Sequence, residues 1–461
     1  MPAKPSATPS LALQPPPGNP RFPLFDSMRA IAALSVLMTH TASVSDFNTG
    51  NALGAFTARM DIGVTIFFLI SGFLLYRPFV AARLEGRPPI RVRQFFRRRI
   101  FRIVPAYWVA LVGLAAFPGL LGLTTVAKPL NLTAPTGGAL VAGQHRPGAS
   151  TPATPRADAT APISGQVGTQ PVSRHAWRLF TFTQVYWIDS TVAGIGPAWT
   201  LCIEMSFYAL LPFLALAVGR LVRRRPKKTA VRIELAVVAG LGLLSLGLRT
   251  YLQAKGGFYV AQNTIACFFD WFAVGMLLAI LSVAWHGRES ESAPLRLIVR
   301  RPWVPWLCAA ACFCVVALLL DLPRGFILKF SDLNYFGEHT LYAATAFFLL
   351  LPAVFGDWAG GWVRRLLSWR VLGWLGLVSY GLYLYHAPFV LWLRDQGLTD
   401  QLGSGLLTLT IPSLVVAVAL AALSYYVVER PALRLKDPQR PRPRGGGSSA
   451  PAPAPAPGQA G

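Results

Sequence analysis

The sequence predicts an all-α polytopic membrane protein, with about ten transmembrane helices in one bundle and both termini cytoplasmic. Three observations carry this. Of 461 residues, 53% are hydrophobic and 13% charged, a balance far more apolar than that of soluble globular chains. Apolar runs near the length that crosses a bilayer, about 20 residues, recur from end to end. Finally, 31 of the 43 Lys and Arg residues fall in alternate connecting segments, the asymmetry that marks the cytoplasmic side.

Taken in chain order, the expected spans are 27–46, 61–80, 102–123, 196–219, 233–252, 262–285, 303–320, 340–356, 371–393 and 406–428. Residues 1–22 and 436–461, rich in Pro, Ala, Gly and Ser, read as disordered tails flanking a membrane domain at 23–435. Within that domain 124–175 reads as a flexible external loop insertion, because Lys128–Pro171 is dominated by Pro, Thr, Ala and Gly. The aromatic-rich stretch Ala176–Ile188 reads as interfacial or re-entrant; if it spanned, every later helix would reverse. The first apolar run, followed by Ala42-Ser43-Val44-Ser45, mimics a signal peptide, but the long proline-rich leader and His40 within the run argue against cleavage.

The net charge of +24 would suit nucleic acid if the basic residues formed one face. They sit instead in short segments beside the spans, where they set topology and touch anionic lipid headgroups, so no nucleic-acid partner is expected. The five cysteines lie within spans, at 202, 267, 308, 312 and 314, with no His or carboxylate at ligand spacing beside them. They read as small packing residues, and no metal is expected.

The most informative residues lie on the first span. Asp26, Arg29 and His40 share one helical stripe, which places His40 about 16 Å along the axis from Arg29, near mid-membrane. An ionisable group at that depth is costly enough to count as a functional hypothesis by default.

Four further segments accompany it. Gly63-Val64-Thr65-Ile66-Phe67-Phe68-Leu69-Ile70-Ser71-Gly72-Phe73 opens the second span, and Arg99 and Arg102 form an Arg-x-x-Arg element within Arg98 to Trp108. Trp199 to Tyr208 and Ser379 to Pro388 complete the set. In this order, with Asp26 to His40 as the opening motif, they resemble the signatures of the integral-membrane acyltransferase 3 family, in which an arginine is followed ten intervening residues later by a histidine. The resemblance covers nearly everything between the tails except 124–175. It implies transfer of an acyl group, usually acetyl from acetyl-CoA, to a hydroxyl of a sugar, glycolipid or exported small molecule, by a multi-pass protein of the inner (plasma) membrane. Acyl-CoA would be a donor substrate rather than a bound cofactor.

The residue types suit that chemistry. A hydroxyl is a weak nucleophile near neutral pH, and histidine is the side chain best matched to take its proton during attack on a thioester. His40 is read as that base; alone, it would read as a core histidine bonded within the bundle. Arg29 is read as a donor-site guanidinium for a CoA phosphate or carbonyl, and Asp26 as its partner one turn earlier, the plainer alternative being a snorkelling anchor. Arg99 and Arg102, spaced i,i+3, can converge on one anion such as the phosphate end of CoA, whereas lipid contact and topology account for Arg97 and Arg98. Ser71-Gly72-Phe73 either lines the acyl channel or permits close helix packing. Glu204 can orient His40 or bind an acceptor hydroxyl, or else pair with an arginine or tyrosine. Trp199, Tyr208, Tyr383 and His386 are assigned to the acceptor; for His386 the alternative is a core histidine bonded to a tyrosine.

These depths predict that acyl-CoA enters from the cytoplasm and its thioester reaches a central polar cavity beside His40, while the acceptor approaches from the opposite face. Transfer through an acyl-histidine and direct transfer both remain open. A proton-coupled transporter is the alternative, since intramembrane Arg, Glu and His suit one, but no internal repeat is evident. A sensor that keeps the fold without activity is a third. Some family members fuse a soluble hydrolase-like domain after the last helix; here a Pro-rich tail follows Arg434, so an accessory step would be expected from another protein.

Overall fold

The computed structural model describes residues 22, 24–50, 52–117, 176–187, 190–191, 193–255, 259–324, 332–355, 362–398 and 405–435. Apart from Phe22, the expected tails lie outside these residues, as does the whole 124–175 insertion.

Helices occupy each of the apolar runs. They are α1 (Leu24–Val44), α2 (Ile62–Leu84), α3 (Val92–Ala115), α4 (Trp199–Val222), α5 (Lys227–Ala254), α6 (Ile265–Ala284), α7 (Trp303–Cys314), α8 (Asp332–Val354), α9 (Arg370–Asp395) and α10 (Leu406–Ser424). Single π-helical turns prolong α7 over Val315–Leu319 and α10 over Tyr425–Glu429. No strand occurs among the described residues.

Among those residues, five helices are long and apolar enough to cross a membrane: α2 and α4, α5 and α6, and α10 with its continuation to Arg434. A sixth is added if Ala293–Arg300 and Trp303–Leu319, bent by 92°, make one broken span. The protein is therefore a multi-pass membrane protein. The other long helices carry more polar side chains: Asp26, Arg29 and His40 on α1, the arginines of α3, Glu338 and His339 on α8, and Tyr380, Tyr383 and His386 on α9.

The third expected span is corrected at both ends. The helix begins at Val92 rather than 102 and stops at Ala115, so Arg97, Arg98, Arg99 and Arg102 stand inside it. Arginine is a good helix former, and Phe95 and Ile103, both buried, give this stretch an apolar stripe that extends the helix beyond the hydropathy maximum. Ala176–Ile188 does not span: its described part is a five-residue helix, Ala176–Phe180, and a 3₁₀ turn, Gln184–Tyr186. This segment leans on α3 and α4, with Trp108 Nε1 donating to the Phe180 carbonyl (3.0 Å) and Tyr186 bonded to Ser206 (2.8 Å).

Helix α2 is the centre of the bundle. Within its apolar window 72% of residues are buried, against 22% for α5 and 28% for α10, which leaves the last two for lipid. It packs on α6, α1, α8 and α4, while α9 packs between α1 and α10. Lipid tails are as apolar as side chains, so association depends on close approach of backbones. Two contacts show it. A Cβ at Gly72 would lie 2.2 Å from the Phe272 carbonyl oxygen, and one at Gly376 would lie 1.8 Å from that of Asp26. The first joins α2 to α6; the second seats α9 against the start of α1.

Candidate active site

Five helices contribute one face each to an open cavity with about 750 Å³ of empty space, mouth included. From α2 come Val64, Phe67, Phe68, Ser71, Leu74 and Leu75, an i, i+3, i+4, i+7 stripe that forms the apolar wall. Opposite stand Arg29 of α1, Arg99 and Arg102 of α3, Glu204 and Tyr208 of α4, and Tyr380 and Tyr383 of α9. Helical spacing explains each set: Thr200, Glu204 and Tyr208 rise by single turns, as do Tyr380 and Tyr383.

The carboxylate of Glu204 accepts from Ser71 Oγ (2.6 Å) and from the Tyr208 hydroxyl. It therefore faces the cavity from a fixed position, bonded to hydroxyls rather than to His40. Arg29 is paired with Asp26 at 3.3 Å. Arg99 and Arg102 form no ion pair among the described residues, and Arg99 Nε is buried without a partner. The lining thus carries three guanidinium groups against one carboxylate, which suits a polyanionic ligand better than a neutral one. Glu429, 5% exposed on the π-helical turn after α10, lies within electrostatic reach of Arg102.

Beyond the cavity stands a pair of imidazoles. His386 of α9, fully buried, has Nε2 at 3.3 Å from His40 Nδ1, and the ring centroids are 5.0 Å apart. His40 is absent from the lining, and Tyr383 forms the link: it lines the cavity, and its ring centroid is 5.7 Å from that of His386. The Tyr383 hydroxyl is pinned by the Pro197 carbonyl (3.0 Å) and Thr200 Oγ1 (2.8 Å).

The structure thus brings together Arg29, Arg99, Arg102, Glu204, Tyr208 and Tyr383 around one space, with His40 and His386 one side chain further on. Two sequence candidates lie off this line. Asp26 lies outside the lining and pairs with Arg29, and Trp199 packs on Phe268 (centroids 5.7 Å apart) outside the lining. Sequence reading did not single out Thr200, Ser379 or Tyr380 of the lining, although Thr200 and Tyr380 stand one turn before Glu204 and Tyr383 in the same motifs. In Ser71-Gly72-Phe73, Ser71 faces the cavity, and Gly72 gives the close helix packing expected of it by facing the α6 backbone.

A second polar group was also passed over. Arg59 pairs with Glu338 (2.7 Å), Asp61 accepts from Tyr342 (2.6 Å), and Asp270 meets His339 Nε2 (2.7 Å), with Trp271 stacked on the His339 ring at 4.3 Å. Intramembrane charge, the signal that identified His40, marks these residues equally. All five cysteines are free, Cys202 and Cys267 buried and Cys314 exposed.

Two curated relatives are the "Putative peptidoglycan O-acetyltransferase YrhL" of Bacillus subtilis, 25% identical over 416 residues, and the peptidoglycan O-acetyltransferase OatA of Listeria monocytogenes, 24% identical over 413. The alignments cover 89% and 88% of this chain but 54% of each relative, so the chain spans about half their length. No solved structure matches. The profile of the acyltransferase 3 family, described as an acyltransferase domain, matches residues 23–426, which include every element of the cavity and both histidines, and the chain belongs to that family.

Proposed function

We propose that this protein is a membrane-embedded O-acyltransferase of the inner (plasma) membrane that moves an acetyl group from acetyl-CoA to a carbohydrate hydroxyl. The observation that carries this is the convergence of Arg29, Arg99 and Arg102 on a cavity whose other end, at Tyr383, adjoins the His40–His386 pair. In this reading the arginines hold CoA phosphates, the apolar stripe of α2 accommodates the pantetheine arm, and the thioester reaches past Tyr383 to His40. In the same reading, ten spans with both termini cytoplasmic put the arginines on the side where CoA is found. The acceptor enters from the other side; the relatives named for peptidoglycan make a glycan hydroxyl the first candidate.

In direct transfer, His40 takes the hydroxyl proton as the oxygen attacks the thioester carbonyl. The C–S bond breaks, and the thiolate recovers the proton from the imidazolium. Glu204, held by Ser71 and Tyr208, binds the acceptor. The test uses full-length protein in lipid nanodiscs with acetyl-labelled acetyl-CoA and lysozyme-digested peptidoglycan fragments. Wild type transfers label and releases CoA, and His40→Ala lowers the rate by about 10²–10⁴-fold, the usual contribution of general-base catalysis. Solute movement without thioester cleavage would replace this reading with the transporter.

A further inference from the structure

The two histidines carry a more specific assignment, which rests on reading His40 as the base. His386 Nδ1 lies 2.9 Å from the Tyr383 carbonyl oxygen and 3.2 Å from that of Leu382. A carbonyl oxygen only accepts, so in the neutral ring Nδ1 carries the hydrogen and Nε2 the lone pair. That lone pair faces His40 Nδ1 at 3.3 Å. His40 Nδ1 lies 2.7 Å from a second pure acceptor, the Val36 carbonyl. Each of these two groups therefore requires this nitrogen to be the donor. The tautomer of His40 follows: hydrogen on Nδ1, lone pair on Nε2.

We propose that His386 is a positioning residue for His40, its Nε2 sharing the His40 Nδ1 hydrogen with the Val36 carbonyl and so helping to fix His40 Nε2 as the nitrogen that takes the acceptor proton. This displaces the acceptor-binding role expected for His386 from sequence. The chain of orientation starts in the α9 backbone, passes through His386 and ends on α1. When Nε2 gains the hydroxyl proton, positive charge spreads to Nδ1, and both acceptors hold the imidazolium more tightly than the neutral ring. The same proton then leaves Nε2 for the departing thiolate, and the His386 ring begins and ends neutral. The orienting group is an imidazole rather than a carboxylate, so the cation forms without a buried anion beside it. Total burial of His386 and its two backbone anchors make it a fixed part of the scaffold.

The proposal is tested in the full-length protein with ¹⁵N-labelled histidine. Solid-state NMR of wild type in lipid is expected to show His40 protonated at Nδ1, with a through-hydrogen-bond coupling from that nitrogen to His386 Nε2. Protonation of His40 at Nε2, or protonation at Nδ1 with no coupling to His386, would overturn it. This arm holds whether or not any acceptor is turned over, so its failure is separable from failure of the acyltransfer reading. In the assay with acetyl-CoA and lysozyme-digested peptidoglycan fragments, His386→Leu is expected to lower kcat by about 100-fold through misorientation of the base, with KM for both substrates unchanged. His386→Gln, whose side-chain carbonyl restores an acceptor, recovers part of that loss. A His386→Leu protein that keeps kcat and raises only the acceptor KM would overturn the proposal and return His386 to substrate contact.

Discussion

Two polar regions lie within one bundle, and they are built on opposite rules. Around Glu338 and His339 of α8, ionic and polar groups are paired, Arg59 with Glu338, Asp61 with Tyr342 and Asp270 with His339, while the Arg249 guanidinium stacks on Phe268 and Tyr335. None of these residues lines the cavity, although Asp270 keeps Oδ1 unbonded. Around Arg29, Arg99 and Arg102 the balance fails by design: the lining has a single carboxylate, Glu204, and that is held by hydroxyls. Burying charge is expensive unless it is paired. A region that pairs its charges internally stabilises the fold, whereas one that leaves cations over reserves them for a ligand.

The largest effect that sharpens this contrast is expected from Arg99→Ala with Arg102→Ala. Each charge-assisted bond to a phosphate contributes about 1.5–3 kcal/mol, so losing both raises the KM for acetyl-CoA by about 10²–10⁴-fold. The melting temperature in detergent should stay close to the wild-type value, because among the described residues neither arginine forms an ion pair and only Arg102 lies within electrostatic reach of a buried carboxylate, Glu429, outside the cavity lining. A drop in thermal stability without a change in KM would move these residues into the structural class.

Asp270→Ala should do the reverse. It strips His339 of its partner and leaves a buried imidazole beside Trp271; breaking a buried pair costs about 3–5 kcal/mol when both groups are charged, which is an upper bound here. Thermal unfolding followed by tryptophan fluorescence reads the loss. Transfer per folded molecule should be unchanged. If the rate collapsed in protein that remained folded, the α8 cluster would belong to the reaction and the contrast would be broken.

Much of this was legible in the chain, and what was not has identifiable causes. Hydropathy located the apolar runs, but it placed the start of α3 ten residues late because amphipathic Arg-rich helix scores as loop. Stripe geometry placed Arg29 and His40 on one face correctly, yet it could not show that α9 supplies Tyr383 and His386 between the cavity and the base. Glu204 was recognised as an intramembrane carboxylate, but its partners Ser71 and Tyr208 depend on how α2 and α4 face each other, and that is a tertiary fact. Asp270 and His339 lie 69 residues apart in sequence; only their pairing tells that the two costly groups offset one another.

The smallest effect is expected at Ser71. Its hydroxyl holds Glu204 at 2.6 Å, and Tyr208 holds the same oxygen from the other side. Ser71→Ala removes one of two donors, so the carboxylate keeps a bond but loses its fixed direction. If Glu204 binds the acceptor, the loss appears as an increase of about 10-fold in the acceptor KM, in line with one hydrogen bond to a charged group, with the acetyl-CoA KM unmoved. Ser71→Thr, which keeps the hydroxyl, should restore it. A variant that loses stability while both KM values and kcat hold would show that Glu204 is an internally satisfied carboxylate like those of the α8 cluster. In that case the cationic excess of the cavity would be the whole of its recognition chemistry, and the acceptor would have to be held from the His386 side.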